Sequence, residues 1–183
     1  MATPLFINRT DLVRNSIIDG NVDTSKFLYF ISLSQTIHIQ NYLGTELYEE
    51  FEGMVTAGTL TKDLNPNHLT LMIDYIQPML IWYAQTDYIP FAAFSIKNGS
   101  VGRHTSENNS PATKEELDFL VAKAREYADY YSRRFIDYMN FNQNLFPKYY
   151  SNSNDDINPS QDATFNGWVL WDINQNKKTY KNY

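Results

Sequence analysis

Residues 113–140 constrain the fold more than any other stretch of the chain. Thr113 followed by Glu116 is a capping box, in which each end satisfies a backbone donor of the other's turn. Leu117, Leu120, Val121, Ala124, Ala128, Tyr131, Phe135 and Tyr138 then keep a three-four spacing as far as about Asn140. At 1.5 Å per residue a helix of that extent is about 40 Å long, more than the thickness of a small bundle. Part of it must project or meet another chain. A sequence organised around such a rod folds as an α-helical bundle.

Four more helices can be read upstream. Asn8 caps a first one, with Asp11 in its first turn and Leu12, Ile17 and Ile18 inside; Gly20 ends it. Asp23 or Thr24 opens a second that runs to about Tyr42, with Phe27, Phe30, Ile31, Ser34, Ile37 and Asn41 on one stripe and Gly44 just beyond its end. Thr45 caps a third, which closes at Gly58. The fourth spans about 67–96 and is apolar nearly all round, the mark of a bundle's centre. Pro78 cannot donate to the carbonyl of Asp74, nor Pro90 to that of Thr86, so kinks or breaks are expected at both. Residues 97–112, rich in Gly, Ser, Asn and Pro, read as a long loop of the kind that often carries function.

Charge divides the chain at residue 142. The formal net charge is −6, from 15 Lys+Arg and 21 Asp+Glu. After residue 142 the charges balance, with Lys148, Lys177, Lys178 and Lys181 against Asp155, Asp156, Asp162 and Asp172. The expected organisation is a helical domain over 1–142 and an extended C-terminal arm over 143–183. The arm is rich in Asn yet carries large apolar side chains that free arms usually lack. Phe146, Tyr149, Tyr150, Phe165, Trp168, Leu170, Trp171 and Tyr180 are its expected partner-binding anchors. Asn166-Gly167, between ATF and WVLW, is a two-residue signal for a short β-hairpin. On the long last helix, Tyr127, Tyr130, Arg133, Arg134 and Tyr138 are the expected subunit-interface residues.

Catalytic, cofactor and metal sites are not expected. The chain has no Cys, which removes disulfides, thiolate ligands and thiol nucleophiles. His38, His68 and His104 stand on separate segments without a helical i+3 or i+4 partner, and Asp155-Asp156 lacks any calcium-loop spacing. Asn98-Gly99-Ser100-Val101-Gly102 lacks the Lys-Ser/Thr element of a phosphate loop. The acidic balance argues against a face that grips nucleic acid. The charge-free run at 75–86 is too short to span a membrane, and the opening MATPLFINRTDLVRNSII does not read as a secretory signal.

The opening LFINRTDLVRNSIIDGNVDTSKFLYFISLSQTIHIQNYLGTELYEEF resembles small head–tail connector (adaptor) proteins of tailed phages, whose first helices end in a Tyr-x-Gly turn like Tyr42-Leu43-Gly44. YIQPMLIWYAQTDYIPFAAFSI, HTSENNSP and RRFIDYMNFNQNLFPKYYSNSNDDINP are more similar still to the connector-like ring proteins of crAss-like phages and their Bacteroides-associated relatives. The resemblance covers roughly residues 5–160 and rests on the order of these segments rather than on one motif. It implies an all-helical structural subunit, not an enzyme, that assembles as a homo-oligomeric ring of about twelve copies. Such a ring sits in the virion neck between portal and tail, is assembled in the host cytoplasm, and lines the channel through which DNA passes without specific binding. Its implied partners are the portal protein and neighbouring neck or tail rings. A rival from another class is a helical carbohydrate- or peptide-binding module with exposed Tyr and Trp as stacking platforms.

Overall fold

The computed structural model describes residues 4–15, 24–92, 94–97, 100–103, 113–151 and 156–161. It is an α-helical bundle with one small β-ribbon. Helix α1 spans Arg9–Asn15, α2 Thr24–Ser34, α3 Gln40–Leu43, α4 Thr45–Ala57, α5 Pro66–Leu71, α6 Gln77–Ala92, α7 Lys114–Phe141 and α8 Pro147–Tyr150. Two π turns, Gln35–Ile39 and Met72–Ile76, join α2 to α3 and α5 to α6 into continuous rods.

The caps expected at Asn8 and Thr113 form. The one expected at Thr45 does not, because Gly44 takes the cap position, Thr45 is the first helical residue, and its hydroxyl donates to Asp156 instead. Asn8 Oδ1 accepts from the backbone N–H of Thr10 (2.8 Å) and Asp11 (3.0 Å), while Asp11 Oδ2 takes the Asn8 N–H at 3.0 Å. Thr113 Oγ1 accepts from Glu116 N at 3.2 Å, and Glu116 Oε2 accepts from Thr113 N at 2.8 Å. Gly44 and Gly58 end their helices at φ 72° and 67°, a region costly to residues with a Cβ.

Helix α6 is the centre of the bundle and packs along α7 and α2. Leu80, Tyr83 and Ala84 of α6, Ala128, Phe135 and Met139 of α7, and Ile31 and Phe51 are fully buried. Phe6 and Ile7 join this core from the N-terminal segment. Glutamine side chains on two helices hold the Phe6 backbone: Phe6 N donates to Gln35 Oε1 (2.8 Å), and Gln77 Nε2 donates to Phe6 O (2.8 Å). Each of these glutamines belongs to a π turn or directly follows one.

The π turns account for two departures from expectation. In the second helix the inward stripe predicted through Ile37 leaves Ile37 exposed and continues instead at Gln35, Ile39 and Tyr42. A π turn inserts one extra residue, so the stripe steps from Ser34 to Ile39 and the helix turns Ile37 outward. The helix through Pro78 and Pro90 is likewise unbroken. A π turn lies directly before Pro78, and the carbonyl of Asp74, which Pro78 cannot serve, accepts from Arg134 Nη1 at 3.2 Å. The same guanidinium lies 4.7 Å above the Tyr75 ring, so α7 repairs the defect that proline makes in the neighbouring rod.

Residues 97–112 are not loop throughout. Phe94–Lys97 and Ser100–Arg103 pair antiparallel, with Lys97 opposite Ser100 and Phe94 opposite Arg103. The signal was present as Asn98-Gly99, the two-residue hairpin dipeptide already recognised at 166–167. The expected hairpin at Asn166-Gly167 lies outside the described residues.

Candidate assembly surfaces

Polar side chains inside the bundle form a structural network. Tyr42 and Tyr83 share a hydroxyl–hydroxyl hydrogen bond of 3.1 Å, Tyr83 meets Ser132 Oγ at 3.1 Å, and Ser132 Oγ donates to Ala128 O at 2.9 Å. Burial raises the Tyr83 phenol far above its ordinary pKa, so it stays a neutral hydroxyl. The His38 ring stacks on Tyr83 with centroids 4.1 Å apart. Ser34 Oγ (2.5 Å) and His38 Nε2 (3.2 Å) both turn to the same oxygen of Asp87. Serine and histidine therefore share a carboxylate rather than facing each other. His68 Nε2 lies 3.6 Å from Glu50, which also pairs with Lys148 at 3.4 Å. His104 lies outside the described residues. Among the described residues no three His, Cys, Asp or Glu side chains gather to hold a metal, and no helix is long and apolar enough to cross a membrane.

The expected arm begins later than residue 143. Phe146 (0% exposed) and Tyr149 (3%) are core residues of this chain and are not free to anchor a partner. Phe146 packs edge-on to His68, and Tyr149 likewise to Phe135. The cause is Pro147, which opens the short α8 and turns these rings back against α4, α5 and α7. Tyr150 is partly exposed, with its hydroxyl donating to Met139 O at 2.6 Å. Phe165, Trp168, Leu170, Trp171 and Tyr180 lie outside the described residues.

Residues 156–161 form a strap over the corner between α3 and α4. Thr45 N donates to Ile157 O (3.0 Å), Ile157 N donates to Thr45 Oγ1 (3.2 Å), and that hydroxyl donates to Asp156 Oδ2 (2.9 Å). Ser160 N reaches Asn41 O at 2.9 Å. Between these contacts Pro159 sits so close to Gly44 that an added Cβ would lie 2.6 Å from the proline Cδ. Glycine in Tyr42-Leu43-Gly44 thus serves both the turn and the strap. The boundary expected at 142 falls inside the packed body, which runs on to the strap.

Helix α7 presents two apolar stripes. The inner one, through Ala124, Ala128, Phe135 and Met139, is buried against α6. The outer one holds Phe119, Leu120, Tyr127, Tyr130 and Phe141, all exposed, within a sector about 100° wide at 3.6 residues per turn. Leu120, expected to face inward, belongs to this outer stripe. The first ten residues of the helix contain no fully buried side chain, and Leu117 and Val121 are half-buried there. The expected interface residues divide accordingly. Tyr130 and Arg133 are exposed, Tyr127 is exposed with one flank on Trp82 (4.6 Å), and Arg134 and Tyr138 are engaged with Tyr75.

No curated protein and no solved structure matches the chain. A model of a family of unknown function matches residues 39–159, from the end of the first π turn to the proline of the strap. The chain therefore belongs to that family, DUF6712.

Proposed function

We propose that this chain is a structural, non-enzymatic subunit of a ring in the neck of a tailed-phage virion, set between portal and tail around the DNA channel. The observation that carries the reading is the outer stripe of α7. A helix of 28 residues, about 42 Å long, exposes five large apolar side chains along a face that the described residues leave largely uncovered. Repeated head-to-tail contact on such a face closes a ring. The acidic net charge suits a lumen through which DNA slides without adhering. The resemblance of its segments, in their order, to connector proteins suggests the place in the particle.

In this reading residues 162–183 dock on the portal or an adjacent ring, with Phe165, Trp168, Leu170, Trp171 and Tyr180 as anchors. Native mass measurement and electron microscopy of the purified chain, with and without portal, test it. Rings of uniform stoichiometry on the portal are expected. A plain monomer in both samples overturns it. A chain ending at Gln161 keeps its helical fold and loses portal binding; unchanged binding would remove the docking role from the arm.

A further inference from the structure

The outer stripe of α7 is self-complementary in a way that ring contact does not require. Charged residues stand among its rings, and their order reads oppositely in the two directions from Tyr130. Seven positions before Tyr130 is Lys123, and seven after it is Asp137. Four before is Glu126, and four after is Arg134. Eleven before is Phe119, and eleven after is Phe141. All seven of these side chains, Tyr130 included, are exposed. They lie toward one side of the helix, with Glu126 and Arg134 on opposite flanks of the stripe.

We propose that α7 packs antiparallel against α7 of a second copy about a two-fold axis through Tyr130. In that register Phe119 of one copy meets Phe141 of the other, Lys123 meets Asp137, and the two Tyr130 rings meet at the axis. Arg134 stays on its own Asp74 carbonyl and Tyr75 ring, on the flank opposite Glu126. Symmetry makes each contact twice, so one helix supplies two Lys–Asp and two Phe–Phe contacts. A parallel pairing in register places Lys123 on Lys123 and Asp137 on Asp137, like charges that oppose association. Charge complementarity therefore selects both the occupant and its direction. Within one chain Lys123 Nζ lies 2.7 Å from Glu126 Oε2, and in the dimer it turns to or is shared with Asp137 of the second copy.

An isologous contact stops at two copies. The dimer therefore covers the stripe that the ring reading assigns to neighbouring subunits, and holds the free chain out of a ring until a portal displaces it. This last step rests on the proposed function; the dimer itself does not.

The chain has no cysteine, so a single introduced thiol reports the axis directly. Tyr130→Cys in the full chain forms a disulfide-linked dimer under mild oxidation, while Thr56→Cys on the exposed face of α4 does not. Sedimentation of the unmodified chain gives a monomer–dimer equilibrium. Lys123→Glu raises its dissociation constant about tenfold, and Lys123→Glu with Asp137→Lys returns it close to the starting value. A monomer at all concentrations overturns the dimer, as does Tyr130→Cys cross-linking no faster than Thr56→Cys, or failure of the double variant to recover. A chain that dimerises in this way yet never forms rings with portal removes the ring reading alone. A chain that rings on the portal but is monomeric when free removes the dimer alone.

Discussion

The two long helices at the heart of the bundle lie side by side and differ in what they leave uncovered. Helix α6 has apolar or neutral residues on nearly every side, and as far as Ile89 its own chain encloses it, with α2 on one flank, α7 on another and the N-terminal segment near its start; only its last turn, with Phe91, is exposed. Helix α7 buries one stripe against α6 and carries a second into solvent. A residue on α6 thus acts through folding, whereas a residue on α7 acts through folding or through association according to its position in the turn.

Phe135→Ala and Phe119→Ala on α7 should separate these roles with the largest effect. Phe135 is fully enclosed, and its truncation removes the ring and leaves a cavity, at a cost of about 3–5 kcal/mol. Phe119 is 61% exposed, and in dilute solution its loss should stay within about 0.5 kcal/mol. Urea unfolding measures both. Similar costs for the two would mean that the start of α7 is covered by the chain itself, and the contrast with α6 would collapse.

Two glycines, one just before α4 and one within it, sharpen the distinction between covered and open surface. Gly44 combines φ 72° with Pro159 pressed against the space where a Cβ would stand. Gly44→Ala should cost about 1–3 kcal/mol from backbone strain alone, and more if the strap lifts. Gly53, within α4, has nothing within 4 Å of an added Cβ. Gly53→Ala should stabilise the chain by about 0.5–1 kcal/mol through helix propensity. Thermal unfolding of the two variants decides the matter, and a harmless Gly44→Ala would show that the strap is not held at this corner.

These cases also show which parts of the structure the sequence displays. The capping box at Thr113 and Glu116 and the glycines at 44 and 58 announce themselves, because caps need particular residue types at fixed short spacing. The π turns do not, because one inserted residue leaves no compositional trace and only shifts the stripe, as it does from Ile37 to Ile39. The strap is invisible for another reason: Thr45 and Ile157 pair through their backbones and the Thr45 hydroxyl at a separation of 112 residues. At the candidate surface, the aromatic count was legible but not its direction. Phe146 and Tyr149 look like arm anchors until Pro147 turns them inward, whereas Leu120 fits the inner spacing and lies outside it.

Two buried tyrosines give a smaller contrast of the same kind. Tyr83 has hydroxyl partners on both sides, Tyr42 and Ser132, and Tyr83→Phe should cost about 1–2 kcal/mol by leaving them short of a bond. The Tyr149 hydroxyl is buried with no hydrogen-bond partner among the described residues, and burial raises its pKa. Removing an unsatisfied group relieves its desolvation, so Tyr149→Phe should be neutral or stabilising by up to about 1 kcal/mol. Equilibrium unfolding measures both. A destabilised Tyr149→Phe would mean that this oxygen is satisfied by a group outside the described residues.

The smallest effect concerns pH and sits where α8 closes over α4 and α5. His68 lies between Phe51 and Phe146, and burial lowers its pKa below the ordinary 6.5 against the opposing pull of Glu50; Lys148 lowers it further. The unfolded chain takes up a proton on this ring near 6.5, while the folded chain resists until the pH is lower. The contribution to stability is therefore complete above about 6.5 and is lost as the pH falls from there toward the depressed folded value. His68→Gln should flatten the slope of unfolding free energy between about pH 7 and pH 5. A slope unchanged in that variant would place the acid sensitivity elsewhere.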